Sequence, residues 1–383
     1  MLVSAALIYT LEFTCFFLNR SRWKKTFAST ASWKLPKHAV NAAFPAAYDI
    51  PTTFLPMTNP APLSPPLIDK QVVDYSARYP VGYHETAASG VTVPRASSRW
   101  RSTIRESSTG LPIYDVHLSF DENRRRVTWH DRSRNRFHLL TLGCSFAFGE
   151  GVEDDETLAS RLARISKDFR AYNLALNAYG PNDLMLRAET ADYWDEIAPS
   201  GGLAIYVYFW GHVDRVVGKM RDFGWQQGKP HYALTDGKLR RVGILADAHP
   251  LLSLAHGFIA QTEIVRFFHI EYPTLLSADK LDLTAAILQG IKDKYLERFP
   301  EGKFVVLLYP TIFAEGTRAI RPFLDRYQIS YLDYTRLPLS RYSNEPVYHR
   351  LDGHPNANSY RIIAAQIAKD LGFNSEAWRS LVR

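Results

Sequence analysis

The feature that most constrains the fold is a series of short apolar runs in the second half of the chain. The runs are FHLLTLGC (137–144), AYNLAL (171–176), GLAIYVYFW (202–210), KFVVLLYP (303–310) and ISYLDYT (329–335). Continuous apolar runs of this length are typical of parallel strands that are buried on both faces. The segments between and after them have helical spacing or good helix formers, at 155–165, 181–194, 279–297, 316–326 and 356–371. This alternation predicts an α/β fold, a flavodoxin-like three-layer α/β/α sandwich with a mostly parallel five-stranded sheet.

Two further segments differ from this alternation. Residues 69–135 contain short stretches that alternate apolar and polar side chains, at 91–93, 113–120 and 125–130. They predict half-buried strands in a small β-rich subdomain, with a hairpin turn at 121–123. Residues 212–275 are too long for a simple crossover, and the Asp236-Gly237 pair predicts a hairpin there. We interpret 136–383 as the main domain and 212–275 as an insertion at the C-terminal edge of its sheet.

The N-terminus is a candidate membrane anchor. Fourteen of the first 19 residues are apolar, and Glu12 interrupts them. A spanning helix needs about 20 residues, so 1–20 predicts a membrane anchor, with an apolar helix packed on the protein as the alternative. The Pro- and Ala-rich residues that follow predict a linker over 21–68. We expect an extracytoplasmic domain, but the basic residues after the apolar run favour a cytoplasmic flank, so the orientation stays open.

The overall charge and the cysteine content exclude several classes of function. The formal net charge is +7, but the basic residues are scattered and no nucleic-acid-binding module is present. The densest basic run, Arg124 to Arg126, is interpreted as a solvated loop. The chain has only two cysteines, no metal-ligand motif and no phosphate-binding glycine loop. We therefore expect no metal, no cofactor and no nucleic-acid partner.

Two local motifs carry the chemistry of a serine hydrolase. Ser145 directly follows the first buried strand within Gly143-Cys144-Ser145, which is where α/β folds place active groups. The second motif, Asp352-Gly353-His354, precedes the last predicted helix. A serine nucleophile needs a base, and a histidine held by a carboxylate is the usual one. The alternatives are a simple Gly/Ser turn at the strand end and a helix cap at 352–356.

Taken together, these motifs resemble those of the SGNH/GDSL hydrolase superfamily over residues 137–371. LTLGCSFAFGEGV is similar to its first block, with Cys144 in place of the usual Asp, and to a bacterial subgroup with an N-terminal membrane helix. DGHPN resembles its last block, although the Asp lies two residues before the His instead of three. The resemblance implies that Ser145, His354 and Asp352 form a catalytic triad.

The same resemblance implies an oxyanion hole with unusual donors. NLALNAYGPND (173–183) resembles the block that supplies a backbone N–H, which implies Ala178 where the family has Gly, with Gly180 as the alternative. The third block normally supplies an Asn side chain, but here the strand ends in Trp-Gly-His. His212 is the best replacement and Asn177 a weaker one, since an imidazole N–H can donate.

The predicted function is hydrolysis of a small acyl ester or an acylated carbohydrate. One alternative is an O-acyltransferase, or an accessory protein, in acetylation of an envelope polysaccharide, which fits a membrane anchor. The other is a binding protein on a decayed hydrolase fold, which the missing Asn and Cys144 favour.

Overall fold

The structure is a computed structural model, and it describes residues 73–79, 82–86, 92–133, 136–190, 193–218, 226–248, 262 and 276–373. The anchor predicted for 1–20 and the linker predicted for 21–68 lie outside these residues. In the described part of the chain, no helix combines the length and the apolar character that a membrane crossing requires.

The first described strands form two small antiparallel sheets. β1 (Val73–Asp74), β4 (Ser98–Glu106) and β5 (Pro112–Phe120) pair in the order β1-β4-β5, and β2 (His84–Thr86) pairs with β3 (Thr92–Pro94). The β-rich segment was predicted. β5 pairs along its length with β4, and its pairing with residues 125–130 is limited to the antiparallel bridge of Phe120 with Arg126 and the hydrogen bond from the Val127 N–H to the Ser119 carbonyl. Residues 125–130 form a loop, in which Arg126 also bridges Asn173.

The main sheet confirms the predicted α/β fold. It contains β6 (Phe137–Gly143), β7 (Phe169–Asn173), β8 (Gly202–Tyr208), β11 (Lys303–Leu308) and β12 (Tyr331–Asp333). The strand order is β12-β11-β8-β6-β7, and every neighbouring pair is parallel. β6, β7, β8 and β11 are buried along nearly their whole length, as their largely apolar sequences require.

Helices cover both faces of this sheet. Those described are α1 (Ser145–Phe148), α2 (Leu158–Ile165), α3 (Pro181–Ala188), α4 (Gly211–Val217), α5 (Leu245–Ala248), α6 (Ala278–Arg298), α7 (Ala314–Arg318), α8 (Arg321–Arg326) and α9 (Ala357–Asp370). Helices α2 and α9 pack together, and α6 packs with α3 and α4. The arrangement is a three-layer α/β/α sandwich in which the loops after β6, β7 and β8 meet at one edge.

The predicted hairpin in the insertion is present. β9 (Pro230–Thr235) and β10 (Lys238–Ile244) are antiparallel strands joined by Asp236 and Gly237. Both turn residues have positive φ, at 52° and 70°, as a two-residue hairpin turn requires. The hairpin packs on α6 and on α3, so it lies beside the loop that follows β7.

The interpretation of 124–126 as a solvated loop is wrong for two of its three residues. Arg124 is exposed, but Arg125 and Arg126 are only 7% and 2% exposed. Arg126 donates to the carbonyls of Phe148, Gly149 and Val152, and it pairs with Asp154. Buried carbonyls need donors, and the five N–H groups of a guanidinium satisfy several of them at once.

Candidate active site

The candidate nucleophile lies in a tight turn between β6 and α1. Gly143 ends the strand with φ at +137°, and a Cβ there would lie 2.8 Å from the Val207 carbonyl oxygen. Glycine is therefore required by both conformation and space. Cys144 is fully buried, and Ser145, the first residue of α1, is 5% exposed. The turn thus brings Ser145 to the carboxyl end of β6.

The structure brings together the three residues predicted as a triad. His354 Nε2 lies 2.9 Å from Ser145 Oγ, and His354 Nδ1 lies 2.6 Å from Asp352 Oδ2. These contacts orient the imidazole so that Nε2 faces the serine hydroxyl. Capping of α9 falls to Asn356, whose side chain accepts from the N–H groups of Asn358 and Ser359, so Asp352 remains available to the imidazole.

The spacing of two residues between Asp352 and His354 is made possible by the backbone. Leu351 and Gly353 both have positive φ, at 66° and 76°. The Gly353 N–H donates to the His349 carbonyl, and the His349 N–H donates to the His354 carbonyl. This closed turn allows two side chains only two positions apart to meet.

The carboxyl group of Asp352 is buried yet charged. Burial would raise its pKa, but the attraction of His354, the hydrogen bond to it and the nearby Arg78 lower the pKa to about 2. A carboxylate in this state stabilises a positive charge on the neighbouring imidazole. The Asp352 Oδ1 atom is buried without a hydrogen-bond partner among the described residues.

The two predicted backbone donors of the oxyanion hole, Ala178 and Gly180, differ in whether their N–H group already has an acceptor. Ala178 is exposed and has φ at +63°, a conformation that glycine adopts more readily than a residue with a Cβ. In the described part of the chain, no acceptor is found for the backbone N–H of Ala178 or of Ser145. The Gly180 N–H, in contrast, donates to Asp183 Oδ2 at 2.7 Å, so it is not free for an oxyanion.

His212 does not face the site in the way that the sequence suggested. The residue is 0% exposed, and its ring lies against those of Tyr206 and Tyr208. Nδ1 lies 3.2 Å from the Tyr206 hydroxyl, and burial, with Arg215 and Lys229, lowers the pKa of the imidazole well below its ordinary value. The Nε2 atom is also buried, without a hydrogen-bond partner among the described residues. Because the whole ring is buried in this structure, the geometry gives no support to His212 as an oxyanion donor.

A buried carboxylate beside the triad is the main feature that the sequence analysis missed. Glu150 is 1% exposed and accepts hydrogen bonds from Arg78 at 3.1 Å, from Tyr79 at 3.0 Å, and from Tyr114 and Asn177. Burial would raise its pKa, but Arg78, His354 and Tyr114 outweigh that effect and hold the pKa below its ordinary value.

This network also accounts for Asn177, the weaker oxyanion candidate. Its amide nitrogen is held by Glu150 and by the Tyr79 hydroxyl, so the side chain does not offer that N–H to a substrate. The Gly-Glu-Gly sequence at 149–151 gives no local signal of the burial of Glu150, because all the side chains that hold this carboxylate are distant in sequence.

A cavity of about 400 Å³ borders Ala178. Its volume falls in the range of about 300–1,000 Å³ that is typical of small-molecule sites. Polar side chains contribute much of its wall, from His84, Thr92, Asn177, Asp183 and Lys229. In the described ranges, no group of three or more His, Cys, Asp or Glu side chains is arranged to hold a metal ion.

Comparisons with known proteins give distant similarities. No protein-family model matches the sequence, and no curated protein is significantly similar to it. Among solved structures, the chain is similar to a lipolytic protein of the G-D-S-L family from Veillonella parvula DSM 2008, with 10% identity, a TM-score of 0.37, and coverage of 62% of this chain and 100% of that chain. It is also similar to a catalytic mutant of an acetylxylan esterase from Geobacillus stearothermophilus, with 12% identity, a TM-score of 0.35, and coverage of 67% and 99% respectively.

Proposed function

We infer that this protein is a serine esterase of the SGNH/GDSL type, with Ser145 as nucleophile, His354 as base and Asp352 as the group that orients the base. The observation that carries this proposal is the continuous hydrogen-bonded chain from Asp352 through His354 to Ser145. A serine, a histidine and a carboxylate in this order are the groups that acyl transfer needs.

The proposed reaction has two halves. Ser145 Oγ attacks the ester carbonyl carbon while His354 Nε2 takes the hydroxyl proton, and the carbonyl oxygen becomes an oxyanion. The C–O bond to the alcohol then breaks, and His354 returns the proton to the departing oxygen. A water molecule next attacks the acyl-serine with His354 again as base, which releases the carboxylic acid and restores Ser145.

The proposed oxyanion donors are the backbone N–H groups of Ser145 and Ala178. Both lack an acceptor within the described residues, and the two residues lie on loops that meet, since the Leu176 N–H donates to the Gly143 carbonyl at 3.3 Å. Each such donor contributes about 10²- to 10³-fold to the rate. A site with two donors is therefore slower than one that has a third from a side chain.

The substrate that fits this proposal is a small acyl ester or an acylated carbohydrate. The cavity beside Ala178 has space for a small group and offers polar side chains such as His84 and Thr92, which suit hydroxyl groups better than a long alkyl chain. Membrane attachment through residues 1–20 is part of the proposal, and its test is the partition of the full chain into vesicles.

The experiment that tests this function is hydrolysis of p-nitrophenyl acetate by the wild type and by Ser145→Ala, together with labelling by a fluorophosphonate probe. We expect the wild type to hydrolyse the ester and bind the probe, and Ser145→Ala to do neither. Ser108→Ala, in the exposed turn between β4 and β5, is the matched control. Equal rates for the wild type and Ser145→Ala contradict the proposal, and an unlabelled, folded wild type favours a binding protein.

A further inference from the structure

The turn that carries Ala178 is held in an unusual conformation. The Tyr179 N–H donates to the Leu176 carbonyl at 3.2 Å, which closes the turn around Asn177 and Ala178. Ala178 has φ at +63°, a conformation that costs an L-residue free energy and persists only when its surroundings fix it. The neighbouring groups that hold this turn therefore decide where the Ala178 N–H points.

Two cations bind successive carbonyls of this turn. Lys229 Nζ donates to the Ala178 carbonyl at 2.9 Å, and an Arg215 guanidinium N–H donates to the Tyr179 carbonyl at 2.6 Å. Lys229 directly precedes β9 of the insertion, and Arg215 lies on α4. Because charged donors make strong hydrogen bonds, these contacts fix the planes of the peptide groups 178/179 and 179/180. These two groups directly follow the 177/178 peptide, which carries the Ala178 N–H.

Lys229 is itself held in place by Asp183. The lysine is 9% exposed and the aspartate 4%, and the two form an ion pair. The same Asp183 oxygen accepts the Gly180 N–H at the start of α3. Asp183 and Lys229 thus connect both ends of the segment from Ala178 to Gly180, and no part of this connection touches Ser145 or His354 among the described contacts.

We propose that Lys229, held by Asp183, is a positioning residue. It fixes the peptide between Ala178 and Tyr179, keeps Ala178 in its positive-φ conformation and so sets the direction of the Ala178 N–H that stabilises the oxyanion. The proposal rests on the esterase function proposed above and extends it to the insertion, which supplies this lysine. Lys229 acts through Ala178 and does not contact the reacting atoms.

The test compares an ester with its thionoester, in which sulfur replaces the carbonyl oxygen. Sulfur is a weak hydrogen-bond acceptor, so the ratio of ester to thionoester rates measures how well N–H donors stabilise the developing charge. In Lys229→Met, we expect kcat for p-nitrophenyl acetate to fall by about 10- to 100-fold, within the loss of one donor. The ester-to-thionoester ratio should fall with kcat, because the weaker acceptor depends less on the Ala178 N–H.

Two further variants complete the design. Lys238→Met removes an exposed lysine from the same hairpin and should leave both rates unchanged. Asp183→Asn combined with Lys229→Met leaves no buried unpaired charge, so this double variant should fold and show the same fall in the ratio, whether or not the single variant folds.

The outcomes separate this inference from the proposed function. A folded Lys229→Met that keeps its kcat within twofold, or that loses both rates equally, overturns the positioning role. If neither the single nor the double variant folds, the pair is a stability element and the positioning role is rejected. A wild type that hydrolyses neither ester and resists the fluorophosphonate probe overturns the proposed function instead.

Discussion

At the scale of single residues, the buried Asp352 makes stability depend on pH. Its pKa is about 2 in the folded protein and 3.8 in a free chain, so the unfolded chain takes up this proton first as the pH falls. The stabilisation is present above about pH 4 and is lost as the pH falls toward 2. Since one pKa unit corresponds to about 1.4 kcal/mol, the loss is about 2 kcal/mol.

The measurement is urea unfolding of the wild type and of Asp352→Asn at several pH values between about 6 and 2. We expect the difference in unfolding free energy between the two proteins to shrink by about 2 kcal/mol over the lower part of this range. Asp236→Asn, in the exposed hairpin turn, should run parallel to the wild type. If the difference in unfolding free energy between the wild type and Asp352→Asn does not change with pH, the pKa of Asp352 is not lowered in the folded state.

A second prediction at this scale concerns Arg126. Its side chain is 0% exposed, pairs with Asp154 and donates to the backbone carbonyls of the loop that follows the nucleophile turn. Arg126→Met removes the cation that pairs with Asp154 and the buried donor to the Val152 carbonyl, so we expect a loss of about 3–5 kcal/mol in unfolding free energy. Arg126→Lys should recover only part, because an ammonium cannot match the planar fork.

Chemical unfolding measures this loss, and Arg124→Met is its matched control. Arg124 is adjacent in sequence, but its pair with Glu85 is exposed on both sides, and such pairs contribute about 0–1 kcal/mol. If Arg124→Met and Arg126→Met lower the unfolding free energy by the same amount, the buried Arg126 guanidinium does not stabilise the loop that follows the nucleophile turn.

At the scale of elements, the β-rich segment takes part in building the site. Arg78, in the turn after β1, and Tyr114, on β5, both reach Glu150 in the loop behind Ser145. We predict that Arg78 and Glu150 are coupled by about 1–3 kcal/mol, because they are in direct contact and the carboxylate is buried. The measurement is a double-mutant cycle of Arg78→Met and Glu150→Gln, read by unfolding free energy.

The control for this cycle lies in the same segment. Arg101 and Asp115 form an ion pair between β4 and β5 whose arginine is 64% exposed, so its coupling should stay below about 1 kcal/mol. Additive effects of Arg78→Met and Glu150→Gln would show that the turn after β1 does not support the nucleophile loop.

The elements also show where sequence reasoning succeeds and where it ends. The strands of the main sheet were predicted because burial on both faces makes their sequences continuously apolar. β4 was missed because SRWRSTIRE is polar at most positions and is buried only at 102–104. Residues 125–130 were predicted as a strand because apolar and polar side chains alternate there. In the structure these residues form a loop, in which the polar Arg126 is buried.

The same limit holds for the site. Ser145, Asp352 and His354 were found together because each lies in a local motif with a recognisable geometry. Glu150 and Lys229 were not found, because nothing local distinguishes a buried charge from a solvated one. Their burial comes from partners distant in sequence, at positions 78, 114 and 183.

At the scale of the whole molecule, the described residues of the β-rich segment and of the α/β sandwich share one hydrophobic core. Phe120 of β5 stacks on Phe148 of α1 with ring centroids 6.1 Å apart, and Arg126 and Arg78 link the two parts further. The boundary predicted at 135/136 therefore does not coincide with a gap in the packing.

We predict that the two parts unfold in one cooperative transition. Elements that share a core and buried polar contacts open together, whereas an independent subdomain would open at lower free energy. The measurement is native-state hydrogen exchange of peptides from β5 and from β8, followed as denaturant is added. We expect the slowest amides of both strands to converge on the same opening free energy, and the Phe120→Ala variant, which removes the stacked ring, to lower that free energy equally for both strands. Separate free energies in the wild type would instead establish 69–135 as an independent domain.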